Sequence, residues 1–165
     1  MQTSERFNRA IQALVQAYFD NTLVSTECMA CAVGSIVAAG YGVRVRRVSN
    51  HDFPRRNFFE CAEQNDAWSA HFICGERKEV FYETDERYEK GLENIQVTGY
   101  SMDELMLIER TLLDTEGIAI VKRDPNPTLT ALLAVCDVLC DIEGITDPSA
   151  TKALFAKPIL AEAGV

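Results

Sequence analysis

The sequence predicts an all-α protein, five or six helices around one core, with a small β-hairpin in its middle region. Three observations predict it. Apolar residues recur at spacings of three and four in several segments, helix start and stop residues bracket those segments, and only the stretch from Tyr41 to Thr84 lacks a helical period. The 165 residues fit one helical domain over 1–165, because a globule of this size hides roughly two-thirds of the surface its unfolded chain exposes.

The first helix is expected from Ser4 to Asn21, with Phe7, Ile11, Leu14, Val15, Tyr18 and Phe19 on one face and Ser4 or Thr3 as its cap. A second is expected to begin near Ser25 or Thr26, to carry Met29, Val33, Ile36 and Val37, and to stop at Gly40 and Gly42. From Tyr41 to Thr84 the chain reads as irregular: Val and Arg alternate in GYGVRVRRVS, and two short β-prone runs flank a Gly-Glu turn, which places the hairpin between Ala70 and Glu83. A modest helix follows over Glu86–Val97. The next is strongly signalled, because Ser101 and Glu104 stand at the spacing of a reciprocal capping box; Gly117 is expected to close it. Asp124 to Pro127 form a turn, Pro127 opens a helix that ends at Gly144, and Asp147, Pro148 and Ser149 begin a short last helix through Phe155.

Composition narrows the function classes. Hydrophobic residues make up 47% of the chain and charged ones 25%, which suits a packed globule. No apolar run approaches the roughly 20 residues that span a bilayer, and the start MQTSERFNRAIQ lacks the order of a secretory signal, so a cytoplasmic protein without membrane contact is expected. A net charge of −9 repels polyphosphate and argues against nucleic acid. Arg44, Arg46, Arg47, Arg55 and Arg56 with Phe53, Phe58 and Phe59 form the best basic patch, and acids follow at once from Glu60. The expected partner is therefore a protein or a small molecule.

The sharpest chemical feature is the pair Cys28 and Cys31 in STECMACAVG. In a reducing compartment the six cysteines read as buried thiols, metal ligands or redox groups rather than as a disulfide framework. A thiolate at a helix start is favoured by unpaired backbone N–H groups and by the helix dipole, and a two-residue gap lets both sulfurs reach one tetrahedral metal ion. Structural thiols, half of a structural zinc site and redox chemistry all fit this spacing. The thioredoxin arrangement does not, because a helix rather than a strand precedes the motif. Further ligands come from Cys136 and Cys140, four apart on the late helix, or from His51, Cys61, His71 and Cys74 in the middle region. Cys136 and Cys140 fall on the stripe of Leu129, Leu132, Leu133 and Leu139, where cysteine acts as a small hydrophobe.

Glu109 is the less obvious candidate. At 100° per residue it falls within the apolar stripe of Met102, Leu105, Ile108, Leu112 and Leu113, so its carboxylate has to be paired, hydrogen-bonded, metal-bound or neutral. A contact to a helix start, an Arg or a Tyr hydroxyl is the expected role, with a functional acid as the alternative. His51 and His71 have no partner at a recognised catalytic spacing, and no phosphate loop, nucleophile elbow or HExxH is present.

Taken as a set, the RFNRAIQALVQAYFDNTL helix, CMACAVGSIVA, the Trp-containing middle with VFYET, TGYSMDELMLIE and the late LCDIEGI resemble a family of small bacterial helical proteins of unknown function. The likeness lies mainly outside Tyr41–Cys74. It implies that Cys28, Cys31, Glu109 and Cys140 belong to the family pattern, and it implies no activity; for a bound metal, Cys28, Cys31 and Cys140 are the expected ligands. Two functions remain: a non-enzymatic helical protein acting through a partner, its CxxC segment structural or zinc-stabilised, and a thiol-dependent redox or nucleophilic enzyme using Cys28 or Cys31 with Glu109 or a histidine.

Overall fold

A computed structural model describes residues 4–25, 30–48, 58–61 and 85–146. Five helices and a two-stranded antiparallel ribbon make up the described fold: α1 (Glu5–Phe19), α2 (Ala32–Gly40), β1 (Val45–Val48), β2 (Phe58–Cys61), α3 (Asp85–Thr98), α4 (Met102–Val121) and α5 (Pro127–Ile142). The protein is mainly helical, as its periodicity predicts.

The helix α1 follows directly from its pattern. Ser4 caps it by accepting from Phe7 N–H, and Phe7, Ala10, Ile11, Leu14 and Ala17 form the buried face. The helix α2 is of another kind: every residue from Ala32 to Ala38 is buried, so it is apolar all round and runs through the middle of the core. It packs on α1, α3 and α4, while α4 and α5 form the most extensive helix pair. Phe7, Leu14, Ile36, Leu105, Ile108, Leu112, Leu132 and Leu139 fill the space between them.

Several boundaries differ from those the sequence suggests, each for a physical reason. The regular part of α2 begins at Ala32 and not near Ser25: Cys31 takes the cap position, and Ser25 donates its hydroxyl to Glu116 Oε1 on α4 (2.7 Å). Gly117 does not close α4, which runs on to Val121. An exposed glycine weakens a helix by only about 1 kcal/mol relative to alanine, and the stop comes where Arg123 adopts φ 57° before Asp124 and Pro125. The apolar stripes are also narrower than expected, since Leu113 and Leu133 are exposed. At the far end of α5, Gly144 at φ 70° lets Ile145 N–H donate to Cys140 O and its own N–H to Asp141 O, the two bonds of a Schellman closure.

The ribbon pairs Val45 with Cys61 and Val48 with Phe58. It uses the alternating Val–Arg run; the Ala70–Glu83 segment, where the hairpin is expected, lies outside the described residues, as does the short helix expected after Asp147. The capping box of α4 forms as its spacing predicts: Glu104 N–H donates to Ser101 Oγ at 3.1 Å and Ser101 N–H to Glu104 Oε1 at 2.8 Å.

Candidate functional site

Burying α2 creates a problem at its first turn. The leading N–H groups of a helix have no partner within the helix, and water cannot reach them here. Two side chains meet that need. Cys31, fully buried with extended backbone, accepts from Gly34 N–H through its Sγ at 3.3 Å. Glu109, projecting from α4, accepts from Val33 N–H through Oε2 at 3.1 Å, and the Cys31 thiol donates to the same carboxylate.

The result is a small buried network joining α2 to α4. Burial pushes the Glu109 carboxyl above the ordinary carboxylate range, and the hydrogen bonds from Val33 N–H and the Cys31 thiol pull it partly back. The positive end of the α2 dipole faces this carboxylate as well. Glu109 therefore has the engagement with a helix start that its place on the α4 stripe predicts. The helix start in question is the one that carries Cys31.

The remaining sequence candidates are placed differently. Cys28, His51, His71 and Cys74 lie outside the described residues, and for Cys61 the structure describes the strand position alone. Cys136 and Cys140 are buried on α5 and form no disulfide. Burial, the neighbouring Cys140 and Asp137 push the Cys136 thiol up to about 12. Among the described residues no group of three His, Cys, Asp or Glu side chains is arranged to hold a metal ion, so Cys31, Glu109 and Cys140 do not form one between them.

Two features escaped the sequence reading. A polar corner holds α1 against the α3–α4 turn and the end of α5: Arg6 donates through Nε to Glu143 Oε1 (2.7 Å) and through Nη1 to Gly99 O (2.9 Å), and its guanidinium lies 4.5 Å from the Tyr100 ring centroid. Arg9 extends the corner by donating to Val97 O and Thr98 O. Nothing in the helical periodicity marks these long-range partners.

The second feature is a groove of about 780 Å³ between α1, α2 and the entry to β1, lined by residues that include Ile11, Val15, Phe19, Ser35 and Val43. Ser35 and Arg9 both line it, and among the described residues the buried Ser35 hydroxyl and Arg9 Nε have no hydrogen-bond partner. Unpartnered buried donors are uncommon in folded proteins, because leaving a donor unsatisfied costs about 1–3 kcal/mol. A sequence signal for Ser35 existed in its position on an otherwise apolar run, AVGSIVAAG.

Fold and site together define an all-α protein with a short antiparallel ribbon, a buried thiol–carboxylate network at the head of its central helix and an apolar groove beside that helix. No family model matches the chain, and neither a curated protein nor a solved structure matches it. Among the described residues no helix is long and apolar enough to cross a membrane.

Proposed function

We propose that this is a non-enzymatic helical binding protein that takes a small, largely apolar ligand with an acceptor group in the groove between α1 and α2. One observation carries the reading: a groove whose volume suits a small molecule has Ser35 and Arg9 in its lining, and just beneath its wall the Ser35 hydroxyl and the Arg9 Nε–H find no hydrogen-bond partner among the described residues. An apolar body would cover Ile11, Val15 and Phe19, and a carboxylate would be drawn by the positive charge of Arg9, with the covered Ser35 hydroxyl and Arg9 Nε–H having to turn toward it to donate.

In this reading the CxxC segment is structural. Cys31 has its thiol engaged at both ends, as donor to Glu109 and acceptor from Gly34, which suits a helix cap better than a nucleophile. Zinc held through Cys28 would be an addition to that cap rather than the origin of function. A reducing, cytoplasmic setting belongs to the same reading, in which Cys31, Cys136 and Cys140 remain buried and outside any disulfide. The family resemblance supplies the positions Cys28, Cys31, Glu109 and Cys140 and adds no activity.

The test is a titration of the folded protein with decanoate, 1-decanol and decyltrimethylammonium, followed by thermal melting and by amide chemical shifts of α1 and α2. Decanoate is expected to raise the melting temperature and to shift the groove residues most, and Ser35→Val to weaken it while the circular dichroism spectrum stays unchanged. A protein indifferent to all three compounds, or equally responsive to the cation, overturns the reading.

A further inference from the structure

The helix α4 carries a second stripe on the face turned away from the core. Asp103, Leu107, Arg110, Asp114, Gly117 and Val121 follow one another at alternating spacings of four and three, and all six are exposed. Such spacing makes a straight seam on a helix, the seam along which two helices pack in a coiled coil. Leu107 is 51% exposed and Val121 82%, and Leu113 and Ile118 flank the seam at 47% and 55%. Apolar residues gathered on one exposed face, rather than scattered, mark a contact surface.

We infer that a second copy of this chain covers this face, with the two α4 helices antiparallel about a two-fold axis through the level of Leu112. The charges decide both the occupant and the direction. In that register residues equally far from Leu112 oppose each other, so Arg110 of each copy faces Asp114 of the other, and the pair occurs twice. Neither side chain has an ion pair with any described residue in the single chain. Leu107 faces the partner's Gly117, where a Cβ would meet nothing within 4 Å, which leaves room for a leucine knob. Asp103 lies beside the partner's Val121, next to the basic end Lys122 and Arg123. A parallel pairing would set Arg110 against Arg110 and Asp114 against Asp114, and like charges in direct opposition are unfavourable.

This arrangement also gives mid-helix Gly117 a purpose. In the isolated chain it weakens α4 and faces open space where a side chain would stand; at a two-fold seam it lets the helices approach closely.

Sedimentation equilibrium over a range of concentrations and salt tests the inference. The wild type is expected to dimerise, more weakly at high salt. Arg110→Asp and Asp114→Arg are each expected to weaken the dimer at least about tenfold, and the double variant to recover most of the loss, as coupled contacts do. Gly117→Gln is expected to weaken the dimer while leaving the monomer at least as stable to heat at high dilution. A chain that stays monomeric at every concentration, as it would if its own segments covered α4, overturns the inference. So does a dimer for which the double charge swap is no better than either single one.

Discussion

Replacing Glu109 separates the two contributions it makes, an acceptor for the head of α2 and a charge in the core. Glu109→Leu keeps most of the volume and removes the acceptor, so Val33 N–H and the Cys31 thiol are left without their partner in a buried place. An orphaned buried donor costs about 1–3 kcal/mol, which for a domain of this size lowers the melting temperature by roughly 2–4 °C per kcal/mol. Glu109→Gln keeps a carbonyl oxygen for Val33 N–H and never carries a charge, so near pH 4 it is expected within about 1 kcal/mol of the wild type. Neither variant titrates at this position, so both diverge from the wild type in the same direction as the pH rises. The folded-state carboxyl titrates above its ordinary value of 4.5. Between those two values the folded protein holds more protons than the unfolded chain, so stability falls with rising pH. The contribution is complete below 4.5 and is lost as the pH passes upward through the folded-state value. Subtracting the Gln variant removes every other titrating group from the comparison. Urea unfolding of the wild type and both variants from pH 4 to 8 is the assay. The difference between wild type and Glu109→Gln should shift in favour of Gln with rising pH. A difference that is flat or moves toward the wild type refutes the buried-charge reasoning, and a Leu variant as stable as the Gln variant refutes the hydrogen bond to α2.

The other predictions concern packing and thiol access. At Gly40 a Cβ would stand 2.5 Å from Val97 O and 2.8 Å from Val97 C, both backbone atoms, so Gly40→Ala forces α2 and α3 apart. A loss of about 1–3 kcal/mol in urea unfolding is expected, and an unchanged midpoint would contradict the close approach of the two helices. Native Cys31, Cys136 and Cys140 should react slowly with iodoacetamide at pH 8, since all three are buried and the Cys136 thiol is pushed up to about 12; peptide mass mapping against a urea-unfolded control reads this residue by residue. Rapid native labelling of Cys31 would contradict its place beneath the head of α2.

The reach of the sequence is clearest at α4 and α5. The capping box of Ser101 and Glu104, Pro127 at the head of α5 and Gly144 past its end are local devices, and each acts in the structure at the position its spacing predicts. Ser25 and Gly117 show where local signals stop deciding. The cap of α2 falls to Cys31, while Ser25 donates its hydroxyl to Glu116, 91 positions away; a glycine ends a helix only if the next residues do not continue it, and here they do. The strand likewise formed from Val45–Val48, whose partner Phe58–Cys61 no spacing rule identifies.

The Cys31–Glu109 network divides along the same line. That Glu109 had to be engaged was legible, because a carboxylate on an apolar stripe cannot be buried alone, and that Cys31 stood near a helix start was legible from the residues around it. Which helix start met which carboxylate depended on α2 crossing α4, a contact between residues 76 positions apart. The sequence by itself determined the helical class, most of the caps and the residues that needed partners, because these depend on periodicity and on groups within one turn of each other. The tertiary structure alone decided that α2 lies buried on all sides, that Glu109 and Cys31 share the work of its first turn, and that Ser35 and Arg9 border one groove, because each of these follows from surfaces that meet only when distant helices pack.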